Sequence, residues 1–170
     1  MNLVSAEQKE QEHLLILVSA CLLGIACRYD GQSCPEKTLT TLATRGSVVP
    51  ICPEVAGGLP TPRPPAEIAG AHAGLDGHAV LAGRTSVLSS DGADLTAQFV
   101  TGAQAALELA RQLGIQKAVL KANSPSCGAG RIHEGQFRGS LVSGDGVTAA
   151  LLKRNGIQVI TEEALSEGEP

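Results

Sequence analysis

The run HLLILVSA at residues 13–20 is followed at once by Cys21. It is predominantly apolar and lacks the alternation of a half-exposed strand, which is typical of a strand buried on both faces of a parallel sheet. Three later runs share this character: SVVPIC (47–52), KAVLKA (117–122) and IQVIT (157–161). The sequence therefore predicts four buried strands, the first of which begins the folded part of the chain.

Helical patterns lie between these runs. The segment 35–46 starts with Pro and an acid and ends with Arg and Gly, the usual order of helix start and stop signals. Apolar residues recur every three or four positions in 94–114, and 146–156 ends in basic residues, Asn and Gly. Strands that alternate with helices predict a three-layer, Rossmann- or flavodoxin-like α/β fold, with a mainly parallel four-stranded sheet and helices on both faces.

The segment between Gly70 and Ser90 interrupts this rhythm. It holds two short alternating runs, 78–82 and 85–89, which predict a small antiparallel excursion from the main sheet. There is no internal repeat and no composition shift that would mark a second domain. We expect a single α/β domain over residues 13–165, preceded by a polar lead-in at residues 1–12.

The composition limits the kinds of partner. Aromatic residues make up only 2 % of the chain, there is no Trp, and the net charge is −4. Single-stranded nucleic-acid binders stack bases on aromatic side chains in a basic groove, and a long polyanion needs a basic face. The sequence gives no strong nucleic-acid signal and favours a small molecule as the partner.

The N-terminal segment and the cysteine count bear on the cellular compartment. The first residues are polar and acidic where a secretory signal would be basic, and no apolar run has the length of a membrane span. We therefore expect a cytoplasmic protein without a membrane partner. The five cysteines are an odd number in such a chain, so metal binding or catalysis is a better explanation than a disulfide framework.

Three cysteines occupy equivalent positions in the predicted sheet. Cys21 follows the first strand, Cys52 ends the second, and Cys127 lies in the loop after the third. In open α/β sheets, ligands bind beyond the carboxyl ends of the strands. The sequence therefore predicts a shared site. We expect a structural role for Cys27, whereas Cys34, just before the first predicted helix, is left open between packing and the same cleft.

Polar residues flank two of these cysteines. Glu54 stands two positions after Cys52 and is either a general base or an exposed loop acid. The stretch NSPSC brings Asn123, Ser124 and Ser126 close to Cys127, where they position a substrate or cap the backbone. The sequence leaves both pairs of alternatives open.

Two loops are expected to border the site. The proline-rich segment 57–68 is stiff and predicts a rigid active-site loop, in which Arg63 either orients a polar ligand or pairs with Glu67. The Gly-rich segment 130–146 lacks clear periodicity, which suits a lid or wall over the cleft. His133 within it is either an acid–base group or a surface histidine.

Four blocks of the sequence together resemble a known family. They are LVSACLLGIACRYDG, VPICPEVAGGLPTPRPPAEI, LKANSPSCGAG and GDGVTAALLKRNGI. The family is that of the thiouracil desulfidases, long described as domain of unknown function 523. The resemblance runs from about Leu15 to Ile160, and the chain is similar to the short, stand-alone form of the family.

This resemblance implies an activity and a cofactor. The cofactor is a 4Fe-4S cluster held by Cys21, Cys52 and Cys127, whose open iron binds a thiocarbonyl sulfur as a Lewis acid. The reaction is the redox-neutral hydrolysis of C=S to C=O in a thiolated pyrimidine such as 2-thiouracil, giving uracil and sulfide. The resemblance implies Glu54 as base or proton shuttle and Ser124 as a substrate-positioning or proton-handling group.

The short form favours a free base or nucleoside over tRNA as substrate, and it leaves the oligomeric state open. Four further residues are candidates for contact with the substrate: Asn123, Ser126, Arg63 and Cys34.

Two alternatives compete with this interpretation. One is a thiol-based sulfurtransferase or reductase, in which a lowered pKa makes Cys127 the nucleophile. The other is a non-enzymatic metal-binding sensor, in which Cys34 joins the three strand-end cysteines and closes the coordination shell.

Overall fold

The computed structural model describes residues 14–165 of the chain, so the polar lead-in at residues 1–12 lies outside the described residues. The strands are β1 (Ile16–Ser19), β2 (Val48–Ile51), β3 (Ala66–Ile68), β4 (Val87–Ser89), β5 (Lys117–Leu120), β6 (Arg131–His133), β7 (Leu141–Ser143) and β8 (Gln158–Thr161). The helices are α1 (Lys37–Thr44), α2 (Pro53–Ala56), α3 (Gly77–Leu81), α4 (Thr96–Gln112), α5 (Val147–Arg154) and α6 (Glu162–Leu165). Short 3-10 turns lie at Ala20–Leu23 and Ala71–Ala73.

The main sheet has the strand order β2-β1-β5-β8, and all its pairs are parallel. These are the four strands predicted from the sequence, each shortened at its ends. The chain leaves β1 for β2 on one side and then reaches β5 on the other side. The order therefore reverses between β1 and β5, which is where ligands bind in open α/β sheets.

Helices cover both faces of this sheet. Successive strand residues point to opposite faces, so Leu17 and Val18 of β1 enter different clusters. Leu17 packs with α4 and α5, and Val18 packs with Leu39 of α1 and with Leu165 of α6. Both strand residues are fully buried. The predicted three-layer α/β fold is confirmed.

The small antiparallel excursion exists, but its composition differs from the prediction. β4 lies inside the predicted run 85–89, yet it pairs with β3 at the end of the proline-rich segment. The other predicted run, 78–82, is wrong as a strand because most of it forms α3. Asp76 caps this helix by accepting a hydrogen bond from the His78 N–H at 3.0 Å, which favours a helical turn over an extended chain.

The Gly-rich segment 130–146 contains a second antiparallel pair, β6 with β7. Ile132 of β6 joins Ile68 of β3 and Val87 of β4 in a buried cluster around Phe99, which belongs to α4. Both small sheets are thus anchored to the helical layer, and they stand beside the carboxyl edge of the main sheet. Within residues 14–165, no helix combines the length and the apolar character of a membrane-spanning segment.

Candidate active site at the carboxyl edge of the sheet

A cavity of about 410 Å³ opens at the carboxyl ends of β1, β2 and β5. Cys21 reaches its wall from the turn that follows β1, Cys52 from the junction of β2 with α2, and Cys127 from the loop after β5. The structure thus brings the three strand-end cysteines of the sequence prediction to one cavity. Cys27, which was expected to be structural, lines it as well.

The surroundings of Cys52 and Cys127 in this cavity favour the protonated thiol over the thiolate. Burial raises the pKa of Cys127 to about 12, although a hydrogen bond with Ser19 opposes the shift. A hydrogen bond with Cys27, reinforced by burial, raises the pKa of Cys52. A nucleophilic cysteine needs the opposite shift. The raised pKa of Cys127 counts against the alternative in which a lowered pKa makes it the nucleophile.

Glu54 belongs to the short helix α2 and faces a fixed cation. Nε of Arg63 donates to Oε2 of Glu54 at 2.7 Å, and its Nη2 donates to the carbonyl oxygen of Cys27 at 3.0 Å. Nη1 donates to the carbonyl oxygen of Pro60 and to Thr61 Oγ1. The partner of Arg63 is thus Glu54 rather than Glu67, and the guanidinium, with all three nitrogens engaged, ties Glu54 to the Cys27 segment.

Ser124 caps the backbone, which is one of the two uses that the sequence left open. Its Oγ accepts the backbone N–H groups of Ser126 and Cys127, each at 3.1 Å, so it caps the loop that carries Cys127. It also lines the cavity. A hydroxyl oxygen has two lone pairs and one proton. Because both lone pairs are engaged, the hydroxyl is left to act as a hydrogen-bond donor.

Asn123 and His133 also line the cavity, from two different segments. A parallel backbone bridge joins Asn123 to Ile132, which brings His133 beside the loop after β5. His133 is half-buried and borders the cavity rather than standing apart from it. Neither Asn123 Oδ1 nor His133 Nδ1, both of them buried, has a hydrogen-bond partner in the described structure.

Two of the three aromatic residues of the chain stand at the cavity. Tyr29 is 43 % exposed and Phe137 is 40 % exposed, and both line the wall. The backbone N–H of Phe137 and that of Gly135 donate to Oε2 of the buried Glu67, which holds the tip of the β6–β7 hairpin. Sequence reasoning missed both aromatics. One signal could have indicated them: the chain has only three aromatic residues, and two of these lie outside the predicted strands and helices.

Two predicted site residues do not reach the cavity. Ser126 is fully buried, and its hydroxyl bonds Thr148 Oγ1 of α5 at 2.8 Å. Cys34 is not among the lining residues; its backbone N–H donates to the carbonyl oxygen of Cys21 at 2.9 Å. The structure therefore gives neither side chain a contact with a ligand in this cavity.

The arrangement of the thiols discriminates between kinds of metal site. Among residues 14–165, no three His, Cys, Asp or Glu side chains converge as the ligands of one metal ion do. The described residues therefore do not form the closed single-metal shell that included Cys34, and Cys34 does not line the cavity. An iron–sulfur cluster needs no such convergence, because its cysteines bind different irons. Thiolates are also the ligands that iron–sulfur clusters use, so the donor set fits a cluster.

Comparisons with known proteins agree with this geometry. A family model described as 2-thiouracil desulfurase matches residues 16–164. The uncharacterized protein YbbK of Bacillus subtilis (strain 168) is 42 % identical over 153 residues, which make up 90 % of this chain and 99 % of YbbK. The solved structure of the 4Fe-4S-dependent thiouracil desulfidase TudS (DUF523Vcz) is 48 % identical, with a TM-score of 0.78, over 90 % of this chain and 93 % of TudS.

Proposed function

The chain belongs to the 2-thiouracil desulfurase family, and we propose that it hydrolyses the thiocarbonyl of a thiolated pyrimidine such as 2-thiouracil. The reaction is iron–sulfur-dependent and redox-neutral: C=S and water give C=O and hydrogen sulfide, so no external oxidant or reductant is needed. The observation that carries the proposal is the meeting of Cys21, Cys52 and Cys127 at one cavity, from the ends of three adjacent strands.

We assign Cys21, Cys52 and Cys127 as the three protein ligands of a 4Fe-4S cluster. When bound, the cluster supplies a Lewis-acidic iron without a protein ligand, which polarises the thiocarbonyl. Two of these ligands are buried and the third is half-buried. Their loops are held by backbone hydrogen bonds to Ser124 and to Cys34, which supports a preformed ligand set.

Glu54 is our assignment for the general base. Arg63 binds its Oε2, so Oε1 is the oxygen that accepts a proton from the attacking water. The ion pair fixes the carboxylate in the first turn of α2, two residues after Cys52. The hydroxyl of Ser124, whose lone pairs are engaged by backbone N–H groups, donates a hydrogen bond to the substrate.

A neutral free base or nucleoside fits the cavity better than a phosphate-bearing substrate. Three cationic side chains line the wall, and each is paired with a carboxylate: Arg28 with Asp30, Arg63 with Glu54, and Lys121 with Glu162. The described part of the wall therefore offers no unpaired cation to a phosphate. A neutral thiolated base that stacks on aromatic rings needs no unpaired cation.

The test of this function is the cluster content after anaerobic reconstitution. We expect about four iron and four sulfide per chain in the wild type, and release of sulfide and uracil from 2-thiouracil. Separate Ala substitutions of Cys21, Cys52 and Cys127 remove the cluster. Cys34→Ala is the matched control, because this thiol does not line the cavity, and it retains both cluster and turnover.

Cys27→Ala decides whether one iron is open. Cys27 lines the cavity but is not among our assigned ligands, so this variant keeps its iron. Loss of iron in Cys27→Ala would indicate a shell closed by four cysteines and would refute the open-iron mechanism. Failure of the wild type to retain any iron would refute the cluster itself.

A further inference from the structure

Buried polar atoms without partners mark one part of the cavity wall. Among residues 14–165, four buried side-chain atoms lack a hydrogen-bond partner: Gln98 Oε1, Asn123 Oδ1, His133 Nδ1 and Glu134 Oε1. Two of these atoms belong to side chains that line the cavity, those of Asn123 and His133. Native proteins rarely leave buried polar atoms unpaired, because each such atom loses the hydrogen bonds it had with water. Unpaired atoms in a cavity wall indicate a ligand that completes them.

The backbone brings the two residues onto neighbouring segments of the chain. The bridge between Asn123 and Ile132 joins the loop after β5 to β6, so Asn123 and His133 lie on adjacent segments of one wall. Asn123 has a left-handed backbone (φ 66°), which Asn tolerates better than most residues. Neither side chain is used by the cluster ligands or by the Glu54–Arg63 pair.

The chemistry of the two atoms is complementary to one edge of a pyrimidine. Oδ1 of Asn is an acceptor, and Nδ1 of His is a donor when it carries the ring proton. A 2-thiouracil ring presents its N3–H between C2=S and C4=O. An acceptor that binds N3–H and a neighbouring donor that binds the C4 oxygen therefore recognise this edge of the ring. Neither group contacts the sulfur at C2, which points in another direction.

We propose that Asn123 and His133 form the base-recognition edge of the site, with Asn123 Oδ1 accepting the ring N3–H and His133 Nδ1 donating to the C4 oxygen. Tyr29 and Phe137 at the same cavity stack on the ring. The ligand class is a pyrimidine with an unsubstituted N3–H next to the thiocarbonyl, as free base or N1-linked nucleoside. The inference rests on the proposed function, because it assumes that a thiolated pyrimidine occupies this cavity.

Methylated ligands test the edge on the reconstituted holoenzyme. We measure kcat/KM for 2-thiouracil and for its 1-methyl and 3-methyl derivatives, and we measure affinities for uracil, 1-methyluracil and 3-methyluracil by equilibrium dialysis, which needs no turnover. In the wild type, methylation at N3 lowers both quantities roughly tenfold to a hundredfold, whereas methylation at N1 changes them less than about threefold.

Variants at Asn123 locate the effect. Asn123→Gly keeps a residue that adopts a left-handed backbone but removes the acceptor, so affinity for uracil falls and the penalty for N3 methylation disappears. Asn123→Asp is the matched control, since it retains an acceptor at the same position and also tolerates this backbone, and it keeps the penalty. His133→Phe preserves a flat ring but removes the donor, and it weakens binding of uracil and 1-methyluracil alike.

Each outcome separates this inference from the proposed function. Normal turnover of 2-thiouracil together with equal affinity for uracil and 3-methyluracil would overturn the recognition edge and leave the desulfidase activity standing. If dialysis showed weaker binding of 3-methyluracil than of uracil but no sulfide were released from 2-thiouracil, the recognition edge would stand and the proposed reaction would be refuted. If Asn123→Gly weakened all three uracils equally at unchanged iron content, Asn123 would have only a structural role and the inference would fail.

Discussion

At the scale of single residues, the guanidinium of Arg63 is the contact that holds the proposed base in place. Its side chain is only 5 % exposed, and it reaches Glu54, the Cys27 carbonyl and the proline-rich loop at once. Lys carries the same charge but lacks the planar fork that serves several acceptors. The shape of the cation, and not its charge alone, therefore positions Glu54.

Arg63→Lys is expected to lower kcat for 2-thiouracil by roughly tenfold to a hundredfold, since charge-assisted hydrogen bonds to Glu54 and to the Cys27 carbonyl are lost. The measurement is steady-state turnover at matched iron content. The control is Arg131→Lys, because Arg131 pairs with Glu163 at an exposed position, where such a pair contributes little. Equal kcat values for Arg63→Lys and wild type would show that the planar guanidinium is not needed to position Glu54.

The thiols give a second prediction at this scale. Because burial raises the pKa of Cys127 to about 12, its thiolate fraction at pH 8 is about one in ten thousand, and it rises tenfold per pH unit as the pH approaches 12. In the metal-free native protein, iodoacetamide therefore modifies the half-buried Cys34 well before Cys127 at pH 8.

Peptide mass spectrometry follows this reaction over time. Unfolding in urea is the control, since it abolishes the difference between the two thiols. Rapid modification of Cys127 at pH 8 in the folded protein would restore the thiol-nucleophile alternative.

The sequence predicts the grouping of thiols better than it predicts their surroundings. Cys21, Cys52 and Cys127 follow strands whose ends must meet at one edge of a parallel sheet, so their proximity follows from the strand pattern. The partner of Arg63 does not follow from any pattern, because the acid nearer in sequence, Glu67, is not the one that Arg63 binds. Tyr29, Phe137 and His133 reach the cavity only through the folding of distant loops.

At the scale of elements, the contact between α2 and α4 fixes the entrance to the site. A side chain on Gly102 of α4 would overlap the carbonyl oxygen of Pro53, and one on Gly57 would overlap the carbonyl oxygen of Gln98. The two backbones therefore meet without intervening side chains. α2 begins directly after Cys52 and contains Glu54, so this close approach positions both residues.

Gly102→Ala is expected to lower the free energy of unfolding by about 1–3 kcal/mol, because the added methyl group meets backbone that cannot rotate away. This loss outweighs the better helix propensity of Ala. Denaturant unfolding measures the stability, and turnover falls with it because α2 shifts. Thr101→Ala, at the exposed neighbouring position, stays within about 0.5 kcal/mol of the wild type. A Gly102→Ala variant as stable as the wild type would show that α2 is free to move.

Continuous apolar runs and helical end signals decide how much of the fold can be predicted from the sequence. The four strands of the main sheet and helices α1, α4 and α5 are predicted, since each has either a continuous apolar run or a full helical period with end signals. The remaining elements have three to five residues each and, apart from β4 within the predicted run 85–89, show neither signal. Such an element is stabilised by its caps and its neighbours, as α3 is by Asp76.

At the scale of the whole molecule, Asp145 joins three parts of the fold. It accepts hydrogen bonds from the Gly130 N–H at 2.9 Å, from Lys153 Nζ of α5 at 2.7 Å and from His78 Nε2 of α3 at 3.3 Å. Burial acts to raise the pKa of Asp145, but the hydrogen bonds from Lys153 and Gly130 outweigh it and hold that pKa below its usual value. The carboxylate thus stabilises the folded state in its charged form.

Asp145→Asn is expected to lower the free energy of unfolding at pH 7 by about 1–3 kcal/mol. A depressed pKa means that the stabilisation is complete above the unfolded value of about 3.9 and is lost as the pH falls through the folded value. The difference between wild type and variant therefore narrows below pH 4. Urea unfolding between pH 7 and pH 3 measures it, with the exposed Glu108→Gln as control. A difference that stayed constant with pH would show that the charge of Asp145 contributes nothing.

The wall of the cavity draws on residues from Ser19 to Gly139, and it is complete only when both small sheets rest on the helical layer. The three hydrophobic clusters that stabilise this layering are mainly aliphatic. We therefore expect the polypeptide to fold before the inorganic cofactor of the proposed function is inserted. Zinc fingers follow the opposite order, since their metal drives folding. On this expectation, a chain that loses its cofactor to oxidation stays folded.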